Sequence, residues 1–385
     1  MTTVRTASVA DQLLIGTQHG AEPPVGAVVA IVEGEKTLLS TAGAASLEQS
    51  HAVAEAMTEQ HVHDLASVSK VLTTLTMLRL RETGALRLTN TLGDFFGPSA
   101  GAHGAVTLDD LLRHRSGMRP WWPLYLAEES PLESILALPP SAPAGTKWQY
   151  SDLGMQALGA VIAHVTGQPF ESSVQELTLS PLSANTVTPA GAYSEAPVAS
   201  GGLGDAVERD MIASGDPYSV SADVRAAAAG FAWREHIIRD ETADCNAFHA
   251  FGGVAGHAGW FSDAAGLLHV AAALADPVLA AELADVHGPQ PAGAFRQGTG
   301  VRVYEQQWRG QQRTFVGHPG FTGTFIAAAP ETASAPRVLM VVLTNRLHGA
   351  PPPARRALAP VDDLWRRAVG AADRILHEAG TGDST

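Results

Sequence analysis

Two blocks of β-patterned sequence lie near opposite ends of the chain, and their placement constrains the fold more than any other feature. Val25 to Val32 and Lys36 to Ala42 are short strand-like runs on either side of Glu33-Gly34-Glu35, the pattern of a hairpin. Far downstream, Gly298 to Gln307, Thr314 to Gly317, Phe321 to Ala329 and Val338 to Leu343 have the same character. The last of these is apolar at every position, which predicts a strand buried on both faces in mid-sheet. Pro319 sits where the strand Thr314 to Gly317 should continue, and proline is tolerated at a sheet edge, so an edge strand bordering a cleft is expected there. The intervening sequence is mainly helical. The expected fold is therefore α/β (α+β): an antiparallel sheet flanked by helices, built from both termini, with an inserted, mostly helical domain. The boundaries read as 1–65 and 290–379 for the sheet, 66–289 for the insertion and 380–385 for a flexible tail, with a cleft at the junction.

The insertion opens on Ala66-Ser67-Val68-Ser69-Lys70, the head of a dense apolar run that reaches Leu80 and stops near Gly84. Ser67 and Lys70 are one helical turn apart and share a face. The chain has only three lysines, Lys36, Lys70 and Lys147. An ammonium at the head of a buried helix is costly unless it has partners or loses its proton, and an amine beside a hydroxyl activates it as a nucleophile. The structural alternative is a serine that caps the helix and a lysine that snorkels to water.

Composition narrows the function. A formal charge of −14 without a basic patch excludes a nucleic-acid partner and disfavours an acidic membrane surface. The single cysteine, Cys245, rules out an internal disulfide and suits a reducing compartment. No charged leader followed by an apolar core opens the sequence, and Val25 to Val32 is too short to span a bilayer, so a cytoplasmic location is expected. His61, His63 and Asp64 form the one group with metal-ligand chemistry, but a histidine pair two apart without a second cluster predicts neither metal nor cofactor.

Other stretches supply candidate walls. Trp121, Trp122 and Tyr125 lie among prolines in Met118 to Tyr125, either in a packed loop or as one side of a substrate pocket. Thr107 to Asp110 is a capping-box start for a short helix over Leu111 to His114. Tyr150 stands just before the helix Leu153 to Val165, where the positive dipole end favours an anion; Ser151 or Asp152 would cap it. Phe251 to Gly259 is the most glycine-dense stretch, and its spacing is not that of a phosphate loop. It reads as close backbone packing beneath a pocket. Ser8 to Gln18, Ser262 to Leu274 and Leu364 to Ala379 read as helices, whereas Pro189 to Ala243 has no clear assignment.

Ser67-x-x-Lys70, Tyr150-Ser151-Asp152 and His318-Pro319-Gly320, in this order, resemble the motifs of the penicillin-recognising serine hydrolases: class C β-lactamases, D-alanyl-D-alanine carboxypeptidases and the related esterases. Thr107 to Met118, Gly252 to Gly259 and Gly317 to Thr324 add to a resemblance that covers roughly residues 20 to 375. It implies an acyl-enzyme on Ser67, with Lys70 as base, neutral or sharing its proton, and Tyr150 as proton shuttle. It also implies His318 in the third catalytic motif, an oxyanion hole from the N–H groups of Ser67 and Phe321, and Asp152 and Gly320 against the substrate.

Two departures from that family pattern bear on the substrate. Asp152 stands where the lactamases have an asparagine, and a carboxylate favours a charged Lys70. His318 stands where they have a lysine, and so supplies no fixed charge for a carboxylate. The reading that follows is an intracellular esterase or amidase of small acyl substrates, with an ester, amide or β-lactam as partner molecule and room for a homo-oligomer. A β-lactamase or carboxypeptidase is the alternative within the class. A non-catalytic penicillin-binding sensor is the alternative outside it.

Overall fold

A computed structural model describes residues 2–16, 20–47, 54–193 and 197–381. Its strands are β1 (Thr2–Arg5), β2 (Gly26–Glu33), β3 (Lys36–Ser46), β4 (Glu55–Ala56), β5 (His63–Asp64), β6 (Thr188–Pro189), β7 (Trp260–Ser262), β8 (Arg296–Gln297), β9 (Arg302–Trp308), β10 (Gln311–Pro319), β11 (Phe325–Ala329) and β12 (Val338–Thr344). The main sheet runs β1-β3-β2-β12-β11-β10-β9-β8, with β4 beside β3, so strands from the two ends of the chain meet at the β2–β12 pair. All pairs in it are antiparallel except β1 with β3. The β2–β3 hairpin turns at Gly34-Glu35, and Gly34 takes a φ of +56° that glycine adopts without strain.

Alternation along β2 divides the core. Ala27, Val29 and Ile31 face a layer formed by the terminal helices, while Val28, Ala30 and Val32 face the helical body. Both faces are covered, so β2 and β12 are buried along their whole length, as the all-apolar pattern of Val338 to Leu343 requires. On the terminal face, Trp365, Ala368, Val369, Ala371, Ala372 and Leu376 form the buried stripe of the helix Val361–Thr381, and Trp365 stacks on Phe325 at 4.6 Å. The N-terminal helix is shorter than its pattern suggests, Ser8–Asp11, followed by a turn that seats Leu13. The position of Gln18 lies outside the described residues, as do 382–385 of the tail.

The other face carries the helices Ser69–Glu82, Asp152–Thr166 and Ala264–Leu274 and a small sheet ordered β5-β7-β6. Asp263 caps Ala264–Leu274, which therefore begins after β7 rather than at Ser262. Thr107 closes a capping box with Asp110, so its helix is Leu108–Leu112, earlier than the apolar run alone suggests. Among the described residues no single helix is long and apolar enough to cross a membrane.

One topological expectation fails. β10 is an interior strand, paired with β9 on one side and β11 on the other. Its register explains why proline is still accepted: pairing with β9 ends at Gly317, while Pro319 continues only against Phe325 of β11. The ring thus falls where one neighbour has already ended, and the proline rule holds locally rather than for the strand as a whole.

Candidate active site

The segment before the long apolar helix makes a tight turn. Asp64 ends β5, and its Oδ1 accepts the Ala66 N–H at 2.8 Å. Ala66 has a φ of +44°, a left-handed conformation that alanine adopts only under constraint. Asp64 Oδ2 also accepts the Ala243 N–H at 2.7 Å, and the Asp64 carbonyl accepts the Thr322 hydroxyl at 2.6 Å. One buried side chain and its own backbone therefore tie the turn to two other segments. Burial pushes the Asp64 carboxyl up to about 6.

Ser67 follows in a single 3-10 turn, Ala66–Val68, and Lys70 falls in the first turn of Ser69–Glu82. Lys70 is fully buried and does not snorkel. Its Nζ donates to Ser67 Oγ at 2.8 Å and to the His257 carbonyl at 3.2 Å, and it lies 2.8 Å from Asp152 Oδ1. The Asp152 approach is close but not aligned as a hydrogen bond, so charge holds it. Burial alone would push the Lys70 ammonium down, but Asp152 and Tyr150 outweigh it and the net direction is up. The upward direction favours the ammonium form beside Ser67.

Tyr150 lies with its ring centroid 5.0 Å from Lys70 Nζ, 4.5 Å from the His114 ring and 6.0 Å from the His318 ring. Ser151, not Asp152, caps the Asp152–Thr166 helix, its Oγ accepting the Gly154 N–H at 3.0 Å, which leaves the Asp152 carboxylate for Lys70. His318 is buried at the end of β10, Nδ1 2.7 Å from the Pro319 carbonyl, and burial with Arg302 nearby holds it far below its ordinary value. It is a neutral imidazole. Gly320 is required by packing: a Cβ there would fall 2.4 Å from the Leu65 carbonyl oxygen. Glycine also lets the Gly252–Gly259 stretch close in beneath the site, since a Cβ on Gly256 would meet the Met155 carbonyl at 2.0 Å.

A cavity of about 700 Å³ opens onto Ser67, Tyr150 and Asp152. Trp121 lines it, with its ring stacked 5.9 Å from Tyr218. Trp122 and Tyr125 were expected on the same wall and stand behind it instead. The Arg119 guanidinium lies over the Trp122 ring, and the Tyr125 hydroxyl donates to Glu208 Oε2 at 2.8 Å beneath Phe231, Trp233 and His249. Phe321 lies on the rim, 43% exposed, with Arg346 over its ring.

Several residues of the site carry no motif. His114, at φ +53°, accepts the Ser151 N–H on Nδ1 at 3.2 Å; burial and the cations Lys70 and Arg302 push it down to about 3. It is a fixed neutral ring against Tyr150. Glu208 and Tyr218 come from inside the region without assignment, and Asp244 from just beyond its end. An unusual φ and a buried acid can be known only once the chain has folded.

The candidate metal ligands read from the sequence make hydrogen bonds within the protein. His61 bonds Glu55 and Thr58, the His63 ring bonds the His61 carbonyl, and Asp64 caps backbone N–H groups. Asp205, Cys245 and His249 do bring ligand atoms within 4.8 Å of one another. However, Arg234 Nη2 lies 2.6 Å from Asp205 Oδ1 and already supplies the positive charge.

The profile of the family described as Beta-lactamase matches residues 19–362. The chain belongs to that family. Esterase EstB of Burkholderia gladioli is 33% identical over 149 residues, covering 33% of this chain and 38% of the relative, so the match spans well under half of that protein. The D-amino acid amidase of Ochrobactrum anthropi SV3 superposes with a TM-score of 0.66 at 18% identity, covering 95% of this chain and 98% of that one. The hydrolase EstCE1, described as having promiscuous acyltransferase activity, gives 0.62 at 20% identity, covering 91% and 96%. At these identities the structural likenesses carry the fold alone. This member of the beta-lactamase family thus holds a serine and a buried lysine in contact at a cavity.

Proposed function

We propose that the enzyme hydrolyses esters or amides of small, largely apolar acyl groups through an acyl-enzyme on Ser67, in a reducing compartment such as the cytoplasm. The observation that carries this reading is the 2.8 Å contact between Lys70 Nζ and Ser67 Oγ at the cavity floor. Because Lys70 rests as an ammonium, it acts as a relay. As Ser67 Oγ bonds to the substrate carbonyl carbon, its proton moves to Nζ while Nζ releases one to Asp152 Oδ1, brought into line by a small rotation. The negative carbonyl oxygen is held by the N–H groups of Ser67 and Phe321. Tyr150 gives its proton to the leaving oxygen or nitrogen as the carbon–heteroatom bond breaks, and recovers a proton from Asp152 through Lys70. Water then attacks the acyl carbon, its proton passing through Tyr150 and Lys70 to the Asp152 carboxylate, and the reverse relay through Lys70 returns a proton to Ser67 Oγ as the acyl–oxygen bond breaks.

The neutral His318 and the carboxylate of Asp152 favour an ester or amide without a carboxylate over a β-lactam or a peptide terminus. The apolar residues Trp121, Leu203, Val207, Met211 and Leu347 on the wall fit the acyl group. Comparing p-nitrophenyl butyrate with nitrocefin tests the reading: kcat/KM should favour the ester by at least about a hundredfold, roughly 2.7 kcal/mol in barrier. Faster turnover of nitrocefin would make the enzyme a β-lactamase.

A further inference from the structure

The cavity carries mainly one sign of charge. Asp152, Asp205, Glu208, Asp210 and Asp244 line it, against Arg355 and Arg356. Most of these groups are already paired. Asp152 faces Lys70, Asp205 is held by Arg234 and by His249 at 2.9 Å, and Asp210 pairs with Arg355 at 2.8 Å. Both arginines also reach Asp216, at 2.9 and 3.2 Å. Glu208 is engaged at both oxygens, by the Tyr125 hydroxyl and the Cys245 N–H, and burial with Asp244 beside it pushes its carboxyl up to about 8.

Asp244 differs from the others. Its Oδ1 accepts the Ala247 N–H at 2.8 Å and lies 2.9 Å from His257 Nε2. Its Oδ2 has no hydrogen-bond partner among the described residues, and the side chain is 22% exposed on the cavity wall. The same His257 accepts from Lys70 through its carbonyl, so Asp244 is two contacts from the amine that touches Ser67. The stacked rings of Trp121 and Tyr218 line the same cavity, and aromatic faces attract cations. Two further guanidinium groups stand nearby without lining the cavity: Arg302, 6.0 Å from the Tyr150 ring, and Arg346, over the Phe321 ring.

We propose that the substrate is an ester or amide bearing a free ammonium group, which pairs with Asp244 Oδ2 beside the Trp121–Tyr218 wall, and that anionic analogues are excluded. The proposal rests on Ser67 being the nucleophile, and it fixes the charge of what that nucleophile acylates. An ammonium gains a charge-assisted bond to an otherwise unengaged carboxylate oxygen, whereas a carboxylate would meet like charge in a partly enclosed space.

Three methyl esters on one phenylpropanoyl frame test it with the full chain: phenylalanine methyl ester (both enantiomers), methyl 3-phenylpropanoate and a benzylsuccinate monomethyl ester. The kcat/KM of the faster ammonium enantiomer should exceed that of the neutral ester by about tenfold or more, and the anionic ester should be slower than the neutral one. In Asp244→Asn the ratio of ammonium to neutral ester should fall toward one. As a measurement that needs no variant, phenethylamine should inhibit or raise the Tm of the wild-type protein at a concentration at least about tenfold below 3-phenylpropanoate. Equal rates for the ammonium and neutral esters, an unchanged ratio in Asp244→Asn, or tighter binding of 3-phenylpropanoate would overturn the proposal. Neutral-ester hydrolysis that survives Ser67→Ala would instead overturn the nucleophile assignment.

Discussion

On one side of the cavity, Ser67, Lys70 and Asp152 come from the first turns of two buried helices, with Tyr150 immediately before the second. On the other, Asp205, Glu208 and Asp244 come from a loop-rich region held together by Arg234, Tyr125 and His257. The first side is fixed mainly by hydrophobic packing. From Ser69 to Leu80 every residue of the nucleophile helix except Arg79 is buried, and displacing Lys70 would mean breaking that core. The second side is fixed by polar contacts between distant parts of the chain, and its charge depends on pH. The contrast assigns bond-making to the rigid wall and substrate choice to the polar one.

Ser67→Ala strikes the rigid wall and should have the largest effect. Turnover of p-nitrophenyl butyrate should fall by on the order of 10³-fold or more with little change in Tm. Asp152→Asn comes next. It removes the proton sink of the proposed relay and should lower kcat at neutral pH by roughly 10²-fold. Without its main counter-charge, the buried Lys70 should also titrate at lower pH, because burial then acts on it with less opposition. Full activity in this variant would show that Lys70 itself is the base.

The polar wall should answer to pH instead. Glu208 has a folded-state value raised to about 8 from 4.5, so the folded protein binds more protons than the unfolded chain between those values. Its stability therefore falls as pH rises through that window. Glu208→Gln removes the titration while keeping an acceptor for the Cys245 N–H and a polar partner for the Tyr125 hydroxyl. Chemical denaturation should find the variant more stable than the parent at pH 9 by an amount of order 1 kcal/mol or more, with a smaller gain at pH 5. A gain at pH 5 as large as that at pH 9 would mean Glu208 does not titrate in the window. The smallest effect belongs to the rim. Arg355 pairs with aspartates that are about half exposed, so Arg355→Gln should change stability by no more than about 1 kcal/mol, and less in high salt.

The same contrast explains what could be read from the sequence. The Ser67–Lys70 pair is a matter of local spacing, and the position of Tyr150 is a matter of where a helix starts; both were legible. So was the meeting of β2 with β12, because only mid-sheet strands are apolar on both faces. Glu208 was not, since its environment comes from Tyr125, 83 residues away, and from Cys245. Trp122 and Tyr125 were placed on the cavity because aromatics in a loop need a surface to cover, but Arg119 and Glu208 had already provided one behind it. Lys70 was legible in both respects: spacing brings the amine to the hydroxyl, and the carboxylate of Asp152, 82 positions further along, favours its charge, although the 2.8 Å approach itself needs the fold.

The nucleophile itself can be identified directly. Incubating the full chain with a fluorophosphonate and sequencing the modified peptide by mass spectrometry should find the adduct on Ser67, with Ser67→Ala unlabelled and folded. An unmodified Ser67, or an adduct on another serine that persists in Ser67→Ala, would contradict the account.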